Sequence, residues 1–205
     1  MDKWNQLASQ ESIDKTIEHL KANGIDAKFV SSREDAKVEV LSLIPEGAEV
    51  MTMTSVTLSE IGLDQEINKE GAKFKAVRDK LYSLDKKTQA QEMNRLGAAP
   101  QYALGSVHAI TEDGSVLIAS NTGSQLPAYA YAALNVIWAV GAQKIVKNTD
   151  EGIKRIYEHS LPLESERAKK AYGVPGSSVN KILIINKEVQ PQRITLILVN
   201  EVLGF

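Results

Sequence analysis

The stretch from Gly105 to Pro127 constrains this chain most. Two apolar runs, at about 106–111 and 115–120, flank Glu112-Asp113-Gly114. Asp-Gly between apolar runs predicts a tight hairpin, because glycine enters positive φ without a steric cost. The second run leads into a polar loop, Asn121-Thr122-Gly123-Ser124-Gln125. Pro127 then opens an Ala/Tyr-rich segment expected to be helical over about 127–134, since proline fits the first turn of a helix. Hairpin, polar loop and helix start follow in direct succession. Such a loop can offer backbone N–H groups and hydroxyls to an anion, or simply cap the helix. His108, Thr111 and Glu112, three groups able to do chemistry, lie on or beside the same hairpin.

The remaining pattern is helix, strand, helix, strand, which predicts an α/β sheet. Leu7, Ile13, Ile17 and Leu20 form a helical stripe within residues 1–23, with Gly24 as its stop. Lys28-Phe29-Val30 reads as a strand, and Ser31 with Glu34 has capping-box spacing for a helix to about Leu43. Ala48–Met53 reads as a buried strand. It runs into Thr54-Ser55-Val56-Thr57, where Thr57 and Glu60 again have capping-box spacing. That places hydroxyls at the mouth of a strand–helix turn, where open α/β sheets bind ligands. Glu60 is either the reciprocal capping carboxylate or a site carboxylate.

Phe74–Val77 reads as another strand, and 84–96 as a solvated helix. Val136–Val140 is a strongly apolar strand, with Gln143 and Lys144 beyond its C-terminal end. Lys144 is either a solvated lysine or a positive charge for an anion. Asp150–His159 and Leu161–Ala171 read as helical. Ile182–Ile185 and Ile194–Val199, joined through Pro191, read as an antiparallel hairpin.

Composition narrows the chemistry. With 205 residues, 43% hydrophobic and 24% charged, the chain is long enough for one sizeable core, and a single domain over 1–205 is expected. A net charge of −2 does not suggest nucleic-acid binding. No apolar run is long enough to span a bilayer, so a cytoplasmic, membrane-free protein is expected. There are no cysteines. Thiolate metal sites, a cysteine nucleophile and iron–sulfur ligation by this chain are excluded. The three histidines are scattered without metal-site spacing; His19 and His159 are expected on helix surfaces, and His108 in core or cleft. There is no Gly-rich nucleotide loop and no Gly-x-Ser-x-Gly elbow. No metal, cofactor or oligomeric state is assigned.

Several runs resemble the LUD domain family, that of the lactate-utilisation protein C type. They are Gly105–Ser115, Ala119–Pro127, Trp138–Lys144, Leu161–Arg167, Ser178–Asn186 and Ile197–Phe205, with a sparser match at Thr52–Leu63. The resemblance implies a fold like that of ribose-phosphate isomerase, glucosamine-phosphate deaminase and the coenzyme A transferases: an open, mostly parallel sheet flanked by helices, with antiparallel hairpins. It implies a role in oxidising L-lactate to pyruvate beside iron–sulfur protein partners, binding a small anionic metabolite. The alternatives are a free-standing enzyme on an acyl-CoA or phosphosugar substrate, and a ligand-binding module without turnover. The transferases of that fold use a glutamate nucleophile beside a glycine-rich turn, which draws attention to Glu112, with His108 as a second catalytic candidate. The ligand-binding candidates are Thr54, Ser55, Thr57, Glu60, Asn121, Thr122, Gly123, Ser124 and Lys144.

Overall fold

The structure is a computed structural model that describes residues 3–205. Positions 1 and 2 of the expected first helical segment and of the 1–205 span lie outside the described residues. The strands are β1 (Asp26–Val30), β2 (Glu49–Thr52), β3 (Lys75–Ala76), β4 (Tyr102–Gly105), β5 (Ala109–Thr111), β6 (Val116–Ser120), β7 (Asn135–Gly141), β8 (Ile145–Val146), β9 (Lys181–Ile185) and β10 (Ile194–Val199). The helices are α1 (Gln10–Ala22), α2 (Arg33–Ser42), α3 (Val56–Ile61), α4 (Leu63–Asn68), α5 (Val77–Ser83), α6 (Ala90–Ala98), α7 (Thr149–Arg155) and α8 (Leu161–Tyr172).

Six strands form a wholly parallel sheet in the order β1-β10-β7-β4-β2-β3. The expected mostly parallel sheet with flanking helices is therefore present. Its strands alternate between two cores. Val136, Trp138 and Val140 of β7, with Leu196 and Leu198 of β10, enter one cluster. Ile137, Ala139, Ile197 and Val199 enter the other, against α2, α3 and α4. Successive strand residues point to opposite faces, so a strand buried on both sides is apolar throughout.

A second sheet, β8-β5-β6-β9, packs on the first cluster through Ile110, Val116, Ile118 and Ile185. The hairpin anticipated around Asp113-Gly114 is its centre, with Ala109 opposite Leu117 and Ile110 opposite Val116. Gly114 has φ +81°, and its N–H donates to the Thr111 carbonyl at 2.9 Å. A Cβ there would come within 2.7 Å of the His19 carbonyl carbon, so glycine also lets the turn rest on the end of α1.

Several expectations need correction. Ile182–Ile185 and Ile194–Val199 do not form a hairpin. β9 pairs antiparallel with β6, whereas β10 lies parallel between β1 and β7. The link between them crosses from one sheet to the other. It is fixed by a buried Glu188–Arg193 pair at 2.7 Å and by Glu188 N–H donating to the Asn23 carbonyl. Next, α2 is capped by Ser32 rather than Ser31, with Ser32 Oγ accepting from Asp35 N–H at 3.1 Å. Finally, the segment after Pro127 is a short helical turn, π-helical over Ala128–Ala132, and not a regular helix to 134. Arg193 holds it, donating to the carbonyls of Tyr129 at 2.7 Å and Ala133 at 3.2 Å.

The helices expected at 150–159 and 161–171 join into one, α7 to α8, through a π-helical turn at Ile156–Ser160. Pro162 lies just past that turn. It has no N–H for the carbonyl four residues back, and the widened turn falls where that bond is missing. This turn buries Arg155, His159 and Ser160. His159 is thus not the surface residue its helical pattern suggests.

Candidate functional site

In a parallel sheet every strand delivers its following loop to the same edge. Here β2, β4, β7 and β10 lead into Met53–Ser55, Ser106–His108, Ala142–Lys144 and Asn200–Gly204. Ser106, the strap at Leu203 and Thr57, on the helix that follows the first of these loops, gather around Lys144. Far from being solvated, this lysine is 1% exposed. Its Nζ donates to Thr57 Oγ1 at 3.0 Å and to Ser106 Oγ at 3.3 Å. Among the described residues no carboxylate forms an ion pair with it; Glu60 is near enough only to favour its charge. Burial, then the charge of Arg155, push the amine's pKa well below its ordinary value. Arginine keeps its proton, so of the two buried bases the lysine is the one whose proton is made easier to lose.

His108 adds a second unusual group. Its Nδ1 accepts from the Ala119 N–H at 3.1 Å, so in a neutral ring Nε2 carries the hydrogen. Burial, followed by the charges of Lys144 and Arg155, pushes its pKa down to about 3. At neutral pH the ring is an uncharged N–H donor. Arg155 is fully buried, and its Nη1 donates to the His108 carbonyl at 2.6 Å and to Ser160 Oγ at 3.2 Å.

The turn after β2 is built differently from its sequence pattern. Ser55, not Thr57, caps α3, accepting from the Leu58 N–H at 3.3 Å. Thr57 is two residues further in and buried, and donates to the Leu203 carbonyl at 3.2 Å. Glu60 does not reach back to a capping position. Its Oε2 accepts from the Gly204 N–H at 2.7 Å. Thr54 is exposed. The segment 201–204 is therefore a strap over this edge. Gln143 Nε2 donates to the carbonyls of Leu203 (2.9 Å) and Gly204 (3.2 Å), and Glu201 pairs with Arg33 at 2.6 Å.

Glu112 is elsewhere. It lies at the opposite end of β5 from His108, about 13 Å along the strand. Its carboxylate accepts from Ser12 Oγ at 2.8 Å and Lys15 Nζ at 3.0 Å, and those two bonds hold its pKa below the usual range. His19 Nδ1 donates to the Glu112 carbonyl at 2.7 Å. Glu112 thereby ties α1 to the hairpin. Thr111 serves the same turn, its hydroxyl donating to Asp113 Oδ1.

The loop 121–124 emerges from β6 on His108's side but is already occupied. The Gly123 N–H donates to Ser120 Oγ at 2.8 Å, and the Ser124 N–H to Thr122 Oγ1 at 3.3 Å. Asn180 Nδ2 donates to Asn121 Oδ1 at 2.8 Å, and Lys181 Nζ to the Thr122 carbonyl at 2.9 Å. The structure thus gathers Thr57 and Lys144 directly, with Glu60 and His108 close in charge, and leaves Glu112 and the 121–124 loop outside that contact. Ser106, Arg155 and the strap were not singled out from sequence. Ser106 sits in the Gly-Ser-Val-His run, the one signal that could have drawn attention to it.

Two surface clefts lie away from this edge. One of about 410 Å³ is bordered by Leu41, Glu66, Lys69 and Phe74, and one of about 210 Å³ by Asp26, Tyr102, Asn135 and Arg193. Among the described residues no three His, Cys, Asp or Glu side chains are grouped to hold a metal, and no helix is long and apolar enough to cross a membrane.

The family model described as the LUD domain matches residues 13–199. The chain belongs to the LUD domain family. A solved structure with the same fold is a DUF162 family protein from Deinococcus radiodurans. It is 16% identical at a TM-score of 0.56, over 95% of this chain and 100% of that one. That likeness carries the architecture of the LUD domain and nothing about its chemistry. No curated protein matches.

Proposed function

We propose that this LUD domain, as one unit over 1–205, binds a small anionic metabolite of the lactate or pyruvate kind beside Lys144. In this reading it is a cytoplasmic accessory or subunit of an L-lactate-oxidising system. Iron–sulfur partners carry the electrons, because a chain without cysteine offers no thiolates for a cluster. Family membership supports the lactate setting, and the isomerase/transferase-like architecture is the accompanying fold assignment.

One observation carries the anion site: a fully buried lysine held by two hydroxyls and lying near a buried arginine, the lysine having no paired carboxylate among the described residues. Burying an amine without a counter-ion is costly, so burial favours its neutral form. An entering carboxylate supplies the missing charge. Lys144 then takes up a proton, and the His108 N–H can donate to the ligand's second oxygen. A charge-assisted bond of this kind contributes on the order of 1.5–3 kcal/mol, or roughly ten- to a hundredfold in affinity.

Calorimetry with lactate, pyruvate and phosphate, repeated in buffers of different ionisation enthalpy, tests this. Binding should bring net proton uptake, and Lys144→Met should abolish the uptake and weaken affinity by that factor. Unchanged affinity in the variant, or binding without proton uptake, rules out Lys144 as the anion's partner. Pull-down from lactate-grown cells should recover Cys-rich iron–sulfur proteins. Normal lactate growth after deletion, with no such proteins recovered, removes the lactate role.

A further inference from the structure

Two hydroxyls touch the Lys144 amine, and they are not equivalent. Thr57 is buried, and its hydrogen is committed to the Leu203 carbonyl at 3.2 Å. Ser106 is half-buried, and its Oγ, 3.3 Å from Nζ, is bonded to Lys144 alone among the described residues. It is the hydroxyl that a reactant can reach and whose proton is free to move. The amine itself is sealed from solvent, which suits a base rather than an attacking group. A neutral amine can receive the proton the other way along the same contact. A hydroxyl within hydrogen-bond reach of an unprotonated base is the arrangement of an activated nucleophile.

We propose that Ser106 is an acyl-accepting nucleophile with Lys144 as its general base, acting on small esters or thioesters. Ser106 Oγ bonds to the carbonyl carbon while its proton passes to Lys144 Nζ, and the carbonyl electron pair moves onto oxygen. Collapse re-forms the C=O bond and expels the thiolate or alkoxide, which takes the proton back from Lys144. Water then attacks the acyl-serine, giving its proton to Lys144. The carboxylic acid leaves, and that proton returns to Ser106 Oγ. His108, two residues along, supplies an uncharged N–H for the oxyanion. The charged and titratable groups around Lys144 are Arg155 from α7, Glu60 from α3 and His108 from the loop after β4. Burial and the arginine push the amine's pKa down, toward the neutral form that can accept the serine proton at this 3.3 Å contact.

The chemistry does not require lactate to be the physiological ligand, and it is read separately. The intact protein is treated with a fluorophosphonate, a serine-directed probe, and adducts are mapped by peptide mass. One adduct is expected, on Ser106, absent in Ser106→Ala, with a labelling rate that rises with pH. Loss of the base should slow labelling about 100-fold or more in Lys144→Met. Folded wild-type protein without a Ser106 adduct overturns the proposal, as does equal labelling in the lysine variant. Ser106→Ala is a small change at a half-buried position and keeps the test open if Lys144→Met fails to fold. Failure here leaves the calorimetric proton uptake of the anion site untouched, so the two readings fall separately.

Discussion

Gly105, the last residue of β4 and the neighbour of Ser106, predicts a large effect from one methyl group. A Cβ at this position would lie 1.7 Å from the Tyr129 hydroxyl oxygen, 2.9 Å from its ring carbon Cζ and 3.5 Å from Met53 Cβ. Tyr129 has no room to retreat. It is buried, stands edge-on to Trp138 at 5.4 Å and 87°, and its carbonyl accepts from Arg193. Overpacking a closed core costs about 1–3 kcal/mol, and an overlap this deep belongs at the upper end. Loss of unfolded-state entropy on Gly→Ala offsets about 0.4–1 kcal/mol. Gly105→Ala should therefore destabilise by about 2 kcal/mol and lower Tm by roughly 4–8 °C for a chain of this size. Tyr129→Phe removes the clashing oxygen and leaves the 2.9 Å contact, which a small ring shift relieves. The double variant should be about 1–2 kcal/mol more stable than the sum of the singles. Urea denaturation of the four proteins measures this. A Gly105→Ala effect under about 0.5 kcal/mol, or strict additivity, would falsify the packing account.

Other expectations follow from the same contacts. His108 has a folded pKa of about 3 against an ordinary 6.5, so the unfolded chain binds the extra proton. The stability it confers is complete above 6.5 and is lost as pH falls from there toward 3. Between pH 7 and 5 wild type should lose roughly 2 kcal/mol more than His108→Gln in urea unfolding; parallel curves would show that the ring is not held neutral. Glu112→Gln should cost up to about 1 kcal/mol, chiefly through the partly exposed Lys15 pair, and leave anion affinity intact. A large loss of affinity would return Glu112 to the site. Gly123→Val should destabilise by about 1–3 kcal/mol, because φ is +88° and its Cβ would meet Lys181 Cδ at 2.7 Å. Ser124→Ala should leave anion affinity unchanged; a tenfold or greater loss, read by calorimetry, would make the 121–124 loop the anion's cradle after all.

Local chemistry was legible in the sequence wherever a few neighbours decide it. Asp113-Gly114 marked the hairpin, and Ala48–Met53 and Val136–Val140 marked buried strands. Partner choice was not legible for β10. Its run Ile194–Val199 is apolar on both faces, the pattern of a central parallel strand, yet proximity to β9 suggested a hairpin. Capping slipped by one or two residues: Ser31 and Ser32 both have a carboxylate three residues on, and Ser55 caps α3 without one while Thr57 has Glu60 at that spacing. Lys144 was found by its place beyond a strand end. Its burial was hidden, since it depends on loops from residues 57, 106 and 203 converging across the chain. Pro162 carried a trace of the π turn, but burial of Arg155 and His159 required the whole helix.

The strand order has a consequence for how the molecule is made. Among the described residues β1 has a single sheet neighbour, β10, which follows it by more than 160 residues. Until β10 has been made, β1 lacks its sheet partner and β7 lacks one of its two. Their facing N–H and C=O groups, and both apolar faces that β10 completes, stay open to water or to other chains until residue 199 has emerged. Segments of a growing chain that expose unpaired strand edges are prone to aggregate. The sheet is thus closed from within by a late insertion: β7, β4, β2 and β3 can pair without β10, but β1 has no place in the sheet until β10 arrives.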